Sequence, residues 1–324
     1  MSEARVRDIT GFRISRSVWL LLVLLAVLAA CSRQTPDPGI TPIKVANPVE
    51  LQKYLLTHKP ELDVFRLRGP FRVTTLQDVA IKITPQESVN ADLYLCAVAQ
   101  NVPLVILLHG HGNSKDDHIF QALHVATWGM HAMTVQLPNH GPWIANGRTL
   151  ARLVSAIHES PEIVDGHIDA TKIILAGHSF GATAVSAALG EGAPALAGIL
   201  LDPAGIGRQL PSLLKKVHAP VMLIGADDEV WPTRNREYFF RFIPTGIAEI
   251  SIRDAVHEDA QYPTEHPLQP PQEGPIATEE SQVTFVSALT AAAFSLSATG
   301  NLDYAWASFG DVFRNGRFFN ARKK

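Results

Sequence analysis

The chain has only two cysteines among its 324 residues, Cys31 and Cys96. Two thiols allow no disulfide framework, so the core itself must hold the fold together. Charge is as sparse: the formal net charge is −3. A DNA or RNA binder carries a basic excess, so no nucleic-acid partner is expected. There is no internal repeat and no low-complexity tract, which excludes the repeat architectures. No H-E-x-x-H or comparable ligand spacing occurs, and the sequence gives no zinc signature. The apolar run Val18–Ala30 has thirteen residues, short of the roughly 20 that a membrane span needs.

That run is preceded by Arg5, Arg7, Arg13 and Arg16 and ends in "LAAC" at Cys31. A basic start, a short apolar segment and small residues before a cut are the parts of a secretory signal. The ending resembles the bacterial lipobox, in which cleavage precedes the Cys and the Cys carries lipid. The resemblance implies a signal peptide over 1–30 and an exported lipoprotein held to the membrane through Cys31. Ser32, rather than Asp, follows the Cys, which by the same resemblance favours the outer membrane. The alternative is an uncut N-terminal anchor. With Cys31 lipidated, Cys96 has no partner, and its place in "ADLYLCAV" is that of a buried apolar residue. Prolines 36, 38, 42 and 48 then suggest an extended tether, placed at 31–60.

From there to the end, 61–324, the chain reads as one α/β domain. "DVAIKIT" and "ADLYLCAV" alternate and suggest an antiparallel pair at a sheet edge. "VPLVILLHG", "HAMTVQLP", "TKIILAGHS", "LAGILLDPA", "APVMLIGADD" and "AEISIRDAVH" are mostly continuous apolar runs, as in strands buried on both faces. Helical stretches lie between them, ending with the long "EESQVTFVSALTAAAFSLSATG". Such alternation predicts a mostly parallel, doubly wound sheet of about eight strands. The final "RNGRFFNARKK" reads as a solvated basic tail.

Polar residues collect at the carboxyl ends of these strands, where open α/β sheets bind ligands. The clearest is "GHSFG", Gly177–Gly181, between an apolar strand and a small-residue helix. This is the G-x-S-x-G turn that presents a serine nucleophile, here Ser179. His178 beside it reads as a side chain that packs against the loops. A serine hydroxyl needs an adjacent base, itself oriented by a third group. His257 in "AVHED" is the base expected, with His266 in reserve.

In these parts and their order the sequence resembles the α/β-hydrolase superfamily, in the manner of its dienelactone-hydrolase-like and cutinase-like esterases. The resemblance implies the α/β-hydrolase fold and an oxyanion loop at "HGHG". It implies backbone donors at His111 and Phe180, with His109 structural. "PNHG" is similar to the family's turn after the fourth strand. "GADDEVWP" offers Asp228 as the triad acid, because Asp, three residues and Pro match the family loop. Asp227 is next, and Asp202 after the sixth strand is a less common family location. Only seventeen residues separate the sixth and seventh strands, so no cap domain is expected there; the proline-rich 263–275 segment is the other candidate cover.

The expected activity is cofactor-free hydrolysis of carboxylic esters by Ser179, Asp228 and His257, on a small-molecule or lipid-like substrate. The same triad also serves acyl transfer and amide or thioester hydrolysis. A catalytically idle binding module and a metal site at "HGHGNSKDDH" are the other readings. Trp143 and Trp231, each beside a Pro in a strand-end loop, are candidates to line the pocket or to support the loops.

Overall fold

A computed structural model of the protein describes residues 42–138, 141, 143–164, 166–227, 235–262 and 279–324. The signal segment, Cys31, Trp231, His266 and the 263–275 stretch lie outside the described residues. Within Pro42–Lys324, which forms one compact unit, the strands are β1 (Val73–Thr84), β2 (Glu87–Cys96), β3 (Val102–Leu108), β4 (His131–Val135), β5 (Ile168–His178), β6 (Ala197–Leu201), β7 (Val221–Gly225), β8 (Ile247–Ile252) and β9 (Phe318–Lys323). They make one nine-stranded sheet in the order β1-β2-β4-β3-β5-β6-β7-β8-β9. The block from β4 to β8 is parallel; β1 and β2 at one edge and β9 at the other run antiparallel.

Nine strands replace the eight expected because the basic tail is not a free end: Phe318 is buried, and the segment pairs along β8. The stretch 31–60 expected as a tether also contains a helix. Helix α1 (Pro48–His58) starts on an Asn47 cap with Pro48 in the first turn, and buries Leu51 and Leu55. Proline suits that first position, since its missing N–H has no intrahelical acceptor to lose.

The remaining helices are α2 (Ile119–Thr127), α3 (Trp143–Glu159), α4 (Phe180–Gly190), α5 (Leu210–Leu214), α6 (Asn235–Phe242), α7 (Glu279–Thr299), α8 (Asp303–Ser308) and α9 (Gly310–Arg314). Successive strand residues point to opposite faces, so each central strand feeds two cores. Val105 and Leu107 face a core shared with α1, α2 and α7 to α9. Leu104, Ile106 and Leu108 face one shared with α3 to α6. Burial on both faces is why these strands read as unbroken apolar runs. Helix α7 is long and apolar enough to cross a membrane, but most of it is buried in the first of these cores. The connection from β6 to β7 holds only the five-residue α5, so no cap domain arises there.

Candidate active site

Ser179 follows β5 and sits at the N-cap of α4 with φ 54° and ψ −124°, a backbone that side-chain-bearing residues rarely adopt. Such strain costs on the order of 1–3 kcal/mol and persists only where the surroundings impose it. Here they do. Ser179 N–H donates to Leu201 O at 3.1 Å, and its carbonyl accepts from Ala182 N–H and Ala204 N–H, each at 3.0 Å. The flanking glycines are sterically required: a Cβ on Gly177 would lie 2.6 Å from Gly181 backbone, and one on Gly181 would lie 2.6 Å from the carbonyl oxygens of Leu108 and His109. The turn thus holds the serine side chain clear of the helix, without a capping bond.

The "HGHG" loop packs directly on this serine, since a Cβ on Gly110 would come within 2.8 Å of Ser179 Cβ. His109 is buried and structural. Leu137 N–H donates to its Nε2 at 3.1 Å, which leaves the proton on Nδ1 to bond Gly110 O at 2.8 Å. Phe180 is the first residue of α4, where a backbone N–H has no intrahelical acceptor and points out of the helix end. His111 and Phe180 meet through their rings, 6.2 Å between centroids, and both reach Trp143, which stacks on Phe180 at 5.6 Å. Trp143 is 3% exposed, so it supports these loops from beneath.

Farther along, Ser114 caps the 3-10 turn Lys115–His118 that leads into α2. The acidic residues of "SKDD" open this helix, as their sequence position suggests. Lys115 reaches back to Asp92 Oδ2 at 2.8 Å, and Asp92 is fully buried on β2. Lys115 also touches Asp116 at 3.0 Å and Asp78 at 3.3 Å. Three carboxylates about one ammonium hold the far end of the HGHG loop against the sheet. Among the described residues no cluster of His, Cys, Asp and Glu has metal-binding geometry.

His257 begins a 3-10 turn after β8. Its Nδ1–H donates to Asp202 Oδ2 at 2.5 Å. Asp202 follows β6, is 3% exposed, and uses Oδ1 to accept Ala226 N–H at 2.9 Å, with the Arg236 guanidinium 3.5 Å away. Among the described residues the carboxylate on His257 is therefore Asp202; Asp228, expected in that place, lies outside the described residues. Asp227 is bound elsewhere: its Oδ2 accepts Asp254 N–H at 2.8 Å and its N–H donates to Ala255 O, which fastens the approach to His257. The Asp-x-x-x-Pro pattern is local and does not point to Asp202, because the partner of a histidine is set by which strand ends meet. The available signal was the "DP" closing the β6 run.

His178 does more than pack: it donates Nε2–H to the main-chain oxygen of His257 at 3.1 Å. Burial, then the neighbouring His257 and His118, hold its pKa well below the ordinary histidine value. His118 is likewise pushed down by burial, to about 4. Serine, histidine and aspartate loops are thus bonded to one another: the elbow to the Asp202 loop through Leu201 and Ala204, and to the His257 loop through His178.

A fold of this order, with a strained serine after β5 and a histidine–aspartate pair after β8 and β6, is that of the α/β hydrolases. The chain belongs to the alpha/beta hydrolase family, whose model matches residues 105–313. No curated protein matches the chain.

Proposed function

We propose that this protein is a serine hydrolase of carboxylic esters. The observation that carries the reading is a His257 whose Nδ1–H is held at 2.5 Å by buried Asp202, on a loop bonded through its main chain to His178, the residue before strained Ser179. That hydrogen bond fixes the tautomer and leaves the other ring nitrogen of His257 as the base. Ser179 Oγ attacks the ester carbonyl while His257 takes its proton, and Asp202 stabilises the imidazolium. The tetrahedral oxyanion accepts from the backbone N–H groups of Phe180 and His111, each worth about 3 kcal/mol to the transition state. His257 returns the proton to the leaving alcohol, and water repeats the attack on the acyl-enzyme. No cofactor enters this sequence.

The "LAAC" ending supports a lipidated Cys31, so we place the enzyme on the cell envelope, held to the membrane by that lipid. With no cap between β6 and β7, esters borne on bulky molecules fit this site better than small metabolites sealed from water.

The test is hydrolysis of a short-chain p-nitrophenyl ester by the chain from residue 33 onward, wild type against Ser179→Ala, with a fluorophosphonate probe. Labelling at Ser179 and turnover lost in the variant are expected. No label and no Ser179-dependent turnover would sink the reading and leave a binding module.

A further inference from the structure

We infer that His178, the residue before the nucleophile, is a positioning residue for His257. The inference rests on the Ser179–His257 reading above and adds to it the group that sets the register between nucleophile and base.

The geometry is specific. A carbonyl only accepts, so the 3.1 Å contact to His257 O places the proton of His178 on Nε2. The two rings lie face to face at a tilt, centroids 4.4 Å apart and planes at 41°. His178 Nδ1 then carries the lone pair. It is buried, 3.2 Å from where a Cβ on Gly110 would sit, and has no hydrogen-bond partner among the described residues.

That orphan nitrogen separates positioning from packing. A buried acceptor without a donor costs stability, and an apolar side chain of similar volume would avoid the cost. The site keeps a histidine nonetheless. What only the histidine supplies is the N–H to His257 O. Asp202 holds the ring of His257 at one atom, which leaves it free to pivot there. A second bond to its main chain, with a ring against its face, removes that freedom. Because His178 and Ser179 are consecutive, one peptide link ties this anchor to the nucleophile. Displacements of about 1 Å in such a pair cost about a hundredfold in rate.

Neutrality is part of the role. Among the described residues, the titratable groups that act on His178 are His257 from the loop after β8, His118 from the 3-10 turn and His109 from the end of β3, all imidazoles. A charged His178 would oppose the imidazolium that His257 becomes during attack. Burial among other imidazoles keeps it uncharged.

The experiment compares His178→Leu and His178→Gln with wild type and Ser179→Ala, by steady-state kinetics on a p-nitrophenyl ester and by thermal melting. Leu fills the space without a donor; Gln restores an N–H. For His178→Leu we expect kcat to fall at least tenfold, KM to stay within about twofold, and the melting temperature to be unchanged or higher. His178→Gln should recover most of the lost kcat. The acidic limb of wild-type kcat/KM should follow a single proton. Wild-type kcat in His178→Leu would overturn the inference, as would equal losses in Leu and Gln accompanied by lower melting temperatures, or a two-proton acidic limb. Ser179-dependent turnover with an unaffected Leu variant overturns this inference alone. Absence of any Ser179-dependent turnover overturns the hydrolase reading, and this inference with it.

Discussion

Replacing Asp202 by Asn keeps the side chain's size but turns one carboxylate oxygen into an NH₂ group that cannot accept from His257 Nδ1–H. The imidazole must then adopt the other tautomer and loses its base. Asp202→Asn is expected to lower kcat by about 10⁴, as comparable changes do in serine-histidine-aspartate enzymes. Asp228→Asn should stay within a few-fold of wild type. Equal losses in the two variants, read by the same ester assay, would return the acid role to Asp228. At this scale the strained serine turn and the histidine loop were legible, because each announces itself within a few residues: Ser179 by its two glycines, His257 by its place after the last parallel strand. The carboxylate that meets His257 was not. Asp202, Asp227 and Asp228 all follow apolar strands, and only the tertiary structure decides that Asp202 meets His257 while Asp227 binds loop backbone. The role of His178 was illegible for the same reason, since its partner is a main-chain atom far along the chain.

The HGHG loop offers a test at the scale of elements. It is pinned at one end by the close approach of Gly110 to Ser179 and at the other by Lys115 on buried Asp92. Removing one member of a buried pair strands the other charge, at a cost of about 3–5 kcal/mol, whereas removing both costs far less. Lys115→Met is therefore expected to lower unfolding free energy by several kcal/mol. The double variant Lys115→Met/Asp92→Asn should recover much of it, since the amide oxygen of the new side chain can still accept Asp78 N–H, as Asp92 Oδ1 does. Urea denaturation of the two proteins measures this; a double variant no more stable than the single one would refute the ion-pair account. The sequence pattern located the parallel strands well, because burial on both faces writes an unbroken apolar run. It failed at the two edges of the fold. In β9 only Phe318 is buried and the residues after Phe319 are mostly polar or basic, so the strand reads as a tail. Its Arg322 is in fact spent on Glu249, 2.6 Å away and buried on β8. In α1 the prolines suggested a tether, although Pro48 sits where a helix tolerates it.

Acid stability belongs to the whole molecule, because the groups that set it are spread between the site and the opposite end of the sheet. His118 lies fully buried beside the oxyanion loop, and His131 is buried at the start of β4; burial pushes each from the ordinary 6.5 down to about 4. The structural reason for His131 is plain: its Nδ1 accepts Cys96 N–H at 3.0 Å, and a proton there would set donor against donor. A histidine whose folded pKa is depressed binds protons less readily than the unfolded chain. The native state is therefore unpenalised above about pH 6.5. It loses stability as pH falls from there to about 4, and loses no more below, where both states are charged. Each such group removes about 2 kcal/mol by pH 5 and on the order of 3 kcal/mol by the bottom of the window. His131→Asn keeps an oxygen able to accept Cys96 N–H but has nothing to protonate. Urea midpoints at pH 7.5 and pH 5 should thus converge in this variant, relative to wild type, by the contribution of one histidine. An unchanged difference between the two midpoints would mean that His131 takes up its proton in the folded state, and that the acid sensitivity arises elsewhere.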